Sequence, residues 1–243
     1  MTRTLLRLCC VLAVAGLACS RADSSHERPD APVRPASEAA AEARPAAIPD
    51  DWPRIVFLGD SLTAGYGLAI DEAVPALVQR RLFASGYAYA VAAHGVSGDT
   101  SAGGLSRLEY ALEGEVAVLV IELGGNDGLR GLAVEGLERN LESIITTARA
   151  RGIDVLLTGM EAPPNFGEAY TASFRQVYRN LAAAHDVAFV PFYLEGVAGV
   201  PELNLPDGIH PNAEGSRIIL ETIWTALEPL LEPADVGQER AAR

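Results

Sequence analysis

Lysine is absent from the 243-residue chain, and all 19 basic residues are arginine. That removes the P-loop lysine, the Schiff-base lysine and the Ser-Lys dyad from the mechanisms open to it. Cysteine is equally restricted, with Cys9, Cys10 and Cys19 the full complement. Nothing after Ser20 can form a disulfide, a thiolate zinc site or a cysteine nucleophile. Cations are scarce, since 32 acidic residues leave a net charge of -13. This argues against nucleic acid as a partner, because phosphate recognition needs arginine or lysine clustered on one face. Aromatic residues make up only 6%, yet 49% of the chain is hydrophobic, enough for a substantial core. Covalent chemistry in the body of the chain must therefore use another nucleophile.

The N-terminus has the pattern of an export signal, with Arg3 and Arg7 ahead of an uncharged run from Leu8 to Cys19. That run is too short to span a bilayer. Its end, Ala15-Gly16-Leu17-Ala18-Cys19-Ser20, resembles a bacterial lipoprotein cleavage site with Cys19 as the lipidated residue, although Gly16 and Leu17 depart from the usual pattern. Ordinary cleavage after Ala22, in the small-x-small sequence Ser20-Arg21-Ala22, is the competing expectation. From Ser20 to Asp51 the chain is rich in Ala, Pro, Glu and Arg, with Val33 and Ile48 its two large aliphatic residues. Such a segment cannot bury enough surface to offset its entropy and is expected to be disordered. A short proline-bounded helix through Ala36 to Ala43 is the alternative. The expected organisation is a signal peptide over 1–18, a disordered tether over 19–51, one folded domain over 52–233 and a disordered tail over 234–243.

Within the folded segment, Arg54–Leu58, Ala88–Ala92, Val116–Glu122, Asp154–Thr158 and Val187–Val190 read as strands, several apolar on successive residues as strands buried on both faces require. Between them Asp71–Ala84, Ser101–Leu112, Leu132–Arg151 and Ala172–His185 have helical spacing, and Asn212–Leu231 closes the series. Strand and helix in alternation predict an α/β fold, a parallel sheet flanked by helices. Ligands of such sheets bind at the carboxyl ends of the strands.

Polar segments follow the first three strands: Gly59-Asp60-Ser61-Leu62, then Gly95-Val96-Ser97-Gly98-Asp99-Thr100, then Gly124-Gly125-Asn126-Asp127. A fourth, Pro206-Asp207-Gly208-Ile209-His210-Pro211, lies near the C-terminus. Each alone has the composition of a turn. Together, in this order, they resemble the consensus blocks of the SGNH, or GDSL, hydrolase superfamily. The subgroup most like them contains bacterial arylesterases and the multifunctional periplasmic thioesterase, protease and lysophospholipase. The resemblance spans about Arg54 to Leu231 and includes Met160-Glu161-Ala162-Pro163-Pro164-Asn165-Phe166-Gly167. It implies a three-layer flavodoxin-like sandwich and makes 52–233 an SGNH hydrolase domain.

Ser61 is the expected nucleophile; the chain has no Gly-x-Ser-x-Gly, which speaks against an α/β-hydrolase elbow. Among four histidines, His26 lies in the tether, His185 at a helix end, and His94 after a strand as the one rival to His210. His210 is the expected base, with Asp207 three residues earlier to fix its tautomer and stabilise the imidazolium. The resemblance implies an oxyanion hole from the backbone N–H groups of Ser61 and Gly98 and the side-chain amide of Asn126. Asp99 is a candidate cap for the helix starting near Thr100. Leu129, Pro163 and Phe166 are candidate acyl-binding residues. Ala93 stands where relatives often carry asparagine, which puts one structural hydrogen bond in question.

The function so implied is an exported serine esterase that cleaves carboxylic esters or thioesters through an acyl-enzyme, with no cofactor and no metal. Its expected partners are a small-molecule or lipid acyl ester and, through Cys19, a membrane surface; a monomer is expected. Its expected place is the bacterial cell envelope, as a periplasm-facing lipoprotein or a soluble periplasmic protein. Two alternatives remain at this stage: an O-acetylesterase of envelope carbohydrate, and a catalytically silent lipid- or glycan-binding module.

Overall fold

The computed structural model describes residues 48–233. The expectations for the signal, Cys19, the greater part of the tether and the 234–243 tail lie outside the described residues. Five strands form one parallel sheet: β1 (Arg54–Gly59), β2 (Ala90–Gly95), β3 (Val116–Glu122), β4 (Asp154–Thr158) and β5 (Ala188–Val190), in the order β2-β1-β3-β4-β5. The central strands are buried on both faces. Ile55 to Leu58 of β1 and Leu119 to Ile121 of β3 are wholly inaccessible, which is why their apolar residues run consecutively instead of alternating. β2 is an edge strand of small, partly exposed residues, and Ala93 on it is exposed. It lies two to three residues later than its sequence suggests, because an alanine-rich edge carries little hydrophobic pattern to set its ends.

The chain leaves β1 for β2 on one side, then returns past β1 to β3 on the other. Right-handed crossovers put the intervening helices on opposite faces. One layer pairs α2 (Val74–Ser85) with α8 (Ala213–Leu227); the other joins α3 (Ser101–Ser106), α6 (Val134–Ala150) and α7 (Glu168–His185). α6 buries Leu137, Leu141, Ile144, Ile145 and Ala148, a single stripe at helical spacing. Each of the leucine and isoleucine side chains contributes about 1.5–3 kcal/mol through removal from water. Asn212 starts α8 by accepting the N–H groups of Glu214 and Gly215, each at 3.0 Å.

The helix expected over Ser101–Leu112 is broken in two at Arg107, with α4 (Leu108–Ala111) following α3. Arg107 adopts φ -113°, ψ 10°, which turns its guanidinium inward. There it donates to Asp99 Oδ2 at 2.7 Å and to the carbonyls of His94 and Gly59, each at 2.8 Å, tying the ends of β2 and β1 together. Asp99 is thus an ion-pair partner, while Thr100 caps α3 by accepting the N–H of Gly103 at 3.3 Å. Two one-turn helices escape sequence periodicity altogether, α1 (Ser61–Ala64) after β1 and α5 (Gly125–Leu129) after β3. Both open at the crevice where the strand order reverses. Among the described residues no helix is long and apolar enough to cross a membrane.

Candidate active site

Ser61 is the first residue of α1, separated from the end of β1 by Asp60 alone. The strand-to-helix turn is built by Asp60, whose Oδ1 accepts the Leu62 N–H at 3.0 Å and whose Oδ2 accepts from Asn126 Nδ2 at 2.9 Å. Beneath it lies Glu122, the last residue of β3 and fully buried. Its Oε2 accepts the N–H groups of Asp60 and Thr63, each at 3.2 Å, and the Thr63 hydroxyl at 2.9 Å. Residue 59 must be glycine here: a Cβ would collide with Thr63 Oγ1 and Glu122 Oε2. Burial raises the pKa of Asp60, against the lowering effect of the Leu62 and Asn126 hydrogen bonds. Burial first, and the Asp60 carboxylate second, push Glu122 well above the usual carboxylate range.

His210 reaches the same point from the loop between β5 and α8. Its Nε2 lies 2.9 Å from Ser61 Oγ, and its Nδ1 lies 2.8 Å from Asp207 Oδ2. The loop is held by the Leu205 N–H bonded to the His210 carbonyl at 2.7 Å. Asp207 Oδ1 accepts the N–H groups of Ile209 and His210 at 2.9 and 3.0 Å. Those hydrogen bonds, the His210 amide foremost, lower the Asp207 pKa from 3.8 to about 2. The carboxylate is therefore ionised at any ordinary pH and can hold Nδ1–H, leaving the Nε2 lone pair toward Ser61. Tyr66 covers the imidazole, ring centroids 4.4 Å apart. The rival His94 stands apart from this chain, packed edge-on against Tyr110 at 5.6 Å. Its pKa is lowered by burial and then by Arg107 and Arg54.

Ser61, Gly98 and Asn126 share the lining of one cavity of about 760 Å³ with His210. Among the described residues neither the Ser61 N–H nor the Gly98 N–H donates a hydrogen bond. Asn126 spends one amide hydrogen on Asp60 and has a second to offer. Gly98 sits at φ +86°, a conformation L side chains rarely adopt, and Arg130 Nη2 holds its carbonyl at 2.8 Å. Donors with hydrogens to spare, lining one cavity beside a hydrogen-bonded Ser-His-Asp chain, can stabilise a negative oxygen as it develops on an attacked carbonyl. Among the described residues no three His, Cys, Asp or Glu side chains cluster in a way that would hold a metal ion.

Of the acyl-binding candidates, Leu129 and Pro163 line the cavity. Phe166 does not: its ring packs against Tyr170 at 5.4 Å and leans over Gly131, outside the lining. Further apolar lining comes from the segment after β5, with Phe192, Leu194 and Ala198, joined by Ile209. Its signal was weak because these apolar residues have no period. Glu122 had a clearer one, as a lone charge ending the apolar run Val116–Ile121.

Residues 57–218 match the GDSL-like lipase/acylhydrolase family. The chain is 48% identical over 178 residues to the esterase TesA of Pseudomonas aeruginosa, covering 73% of this chain and 89% of that protein. It is 36% identical to the thioesterase 1/protease 1/lysophospholipase L1 of Escherichia coli K12, over 73% of this chain and 84% of the relative. The crystal structure of TesA superposes with a TM-score of 0.71, covering 73% of this chain and 99% of that one at 48% identity. The esterase EstA from Pseudoalteromonas, solved with monoethylphosphonate as inhibitor, gives a TM-score of 0.69 at 30% identity, covering 72% of this chain and 97% of EstA. The parallel sheet, the cleft at its carboxyl edge and these likenesses lead to one conclusion: the chain belongs to the GDSL-like lipase/acylhydrolase family, the SGNH hydrolases, and is a serine hydrolase of acyl esters.

Proposed function

We propose that Ser61, His210 and Asp207 are the catalytic triad, that the Ser61 and Gly98 N–H groups with the Asn126 amide form the oxyanion hole, and that the substrates are esters or thioesters of medium to long acyl chains, lysophospholipids among them. The observation that carries this reading is the unbroken hydrogen-bonded chain from Asp207 through His210 to Ser61 Oγ, opening on an apolar-walled cavity. His210 Nε2 takes the Ser61 proton as Oγ bonds to the substrate carbonyl carbon. The carbonyl electron pair moves onto oxygen and is met by the three donors. Collapse expels the alkoxide or thiolate, which leaves with the proton from His210. Water, deprotonated by the same imidazole, then attacks the acyl-enzyme and releases the acid and free Ser61.

Leu129, Pro163, Phe192 and Leu194 give the cavity an apolar stretch that favours an acyl chain over an acetylated sugar. A p-nitrophenyl ester series from acetyl to palmitoyl, with acetylated xylan in parallel, tests this. The expected result is kcat/KM rising with chain length and lost in Ser61→Ala, together with stoichiometric fluorophosphonate labelling of the parent. Ser61→Ala with parental turnover, or a preference for the acetyl sugar, would overturn it.

The enzyme is further proposed to be exported and anchored through Cys19, supported by Arg3, Arg7 and the apolar run ending at that cysteine. Cys19→Ser is expected to move activity from the membrane to the soluble fraction, and unchanged fractionation defeats the anchor.

A further inference from the structure

We infer that Glu122 is a positioning residue for the reaction, clamping the turn that aims Ser61 and, through Asp60, the Asn126 donor. The inference rests on Ser61 being the nucleophile. Residues 60 and 63 bracket the serine, and one carboxyl oxygen of Glu122 takes a hydrogen bond from the backbone of each and from the Thr63 hydroxyl. The strand end of β3 thereby fixes where α1 begins, and with it the direction of Ser61 Oγ and of the free Ser61 N–H. Asp60 passes the constraint on, since its N–H is held by Glu122 while its Oδ2 holds Asn126 Nδ2. A shift of the turn would move nucleophile and oxyanion donors together.

The clamp works as a neutral acid. Glu122 is fully buried, and its other oxygen, Oε1, has no hydrogen-bond partner among the described residues. The titratable groups facing it are Asp60 at the β1–α1 junction, Tyr178 on α7 and Tyr193 in the loop after β5; none is a cation. A carboxylate there would be desolvated without a counter-charge. With the proton on Oε1, Oε2 still accepts all three bonds. Glutamine reproduces that arrangement, with its carbonyl oxygen as the acceptor.

Three variants test this, each read as kcat and KM separately on a p-nitrophenyl ester, alongside melting temperature. Glu122→Gln is expected to keep kcat within about threefold of the parent, as the same acceptor is retained. Glu122→Leu is expected to lose kcat by about 10²-fold with KM nearly unchanged, the effect of a misplaced nucleophile on a correctly shaped cavity. Should Glu122→Leu fail to fold, Thr63→Val reads the clamp at constant volume, with kcat down roughly three- to tenfold at constant KM. Variants that lower the melting temperature and leave kcat at the parental value would overturn the positioning role. Glu122→Gln as depleted as Glu122→Leu would overturn the neutral acid. An active Ser61→Ala would instead strike the nucleophile assignment on which the inference stands, so the two failures are separable.

Discussion

Two carboxyl groups serve Ser61 from opposite sides, and their surroundings drive their protons in opposite directions. Asp207 lies on an exposed loop, receives two backbone N–H groups and the imidazole, and stays ionised down to about pH 2. Glu122 lies in the core under the nucleophile turn, also receives two backbone N–H groups, and is pushed well up by burial and by Asp60. Similar hydrogen-bond counts thus accompany opposite shifts, down for Asp207 and up for Glu122. What separates them is burial and a neighbouring charge: Asp207 lies at the surface, whereas Glu122 is enclosed beside the Asp60 carboxylate. The charged group can stabilise an imidazolium that appears in every cycle, whereas the neutral one can hold a backbone still without adding a second negative charge beneath a developing oxyanion.

The same chemical change at the two sites sharpens the contrast most. Asp207→Asn is expected to lower kcat by about 10²- to 10⁴-fold, because an amide cannot stabilise the imidazolium and can impose the wrong tautomer. Paired with the small effect expected for Glu122→Gln, this makes carboxyl-to-amide exchange ruinous at one position and mild at the other. Equal losses on one ester assay would erase the distinction. Asn126→Ala comes next, with kcat down roughly 10²- to 10³-fold and KM little changed, as for a lost oxyanion donor. Because Asn126 is where the buried pair meets the hole, retention of full kcat would show that its amide serves Asp60 alone. Arg107→Met, which removes the hydrogen bonds to the Gly59 and His94 carbonyls and the ion pair with Asp99, is expected to cost about 2–3 kcal/mol in denaturant unfolding with a smaller effect on KM.

The smallest effects lie in the pH dependence of stability, and their signs differ. Asp207 binds its proton less tightly folded than unfolded, so its contribution is present above about pH 4 and is lost as pH falls toward about 2. Glu122 binds its proton more tightly folded, so its contribution is complete below the ordinary carboxylate pKa and declines as pH rises above it. Urea unfolding across pH should therefore show Asp207→Asn flattening the acid side and Glu122→Gln flattening the decline above it. A parental slope persisting in both variants would assign those protons elsewhere.

How much was legible in advance follows from how local each feature is. β3 and β4 were read to the residue because strands buried on both faces are written as consecutive aliphatics. β2 was displaced because an edge of alanines has no such pattern. The break at Arg107 was invisible, since nothing in Leu105-Ser106-Arg107-Leu108 resists a helix; three distant acceptors draw the guanidinium inward. Ser61, Gly98, Asn126, Asp207 and His210 were legible as types in order. Phe166 was assigned to a wall it does not join, because a loop's sequence does not say which way its ring turns. Phe192 and Leu194 enter the cavity from a loop with no period to betray them.

By itself, then, the sequence determined the alternating elements, the exclusion of lysine and cysteine chemistry, and the residue types available after each strand. These depend on neighbours within a few positions, where propensity, capping and side-chain period operate. Tertiary structure decided that Ser61 and His210, 149 positions apart, meet at 2.9 Å. It also decided in which direction each carboxyl group's pKa moves. Protonation answers to the solvent and charges on every side of a group, and for Glu122 those sides are supplied by α1, α7, β3 and the loop after β5, which only folding brings together.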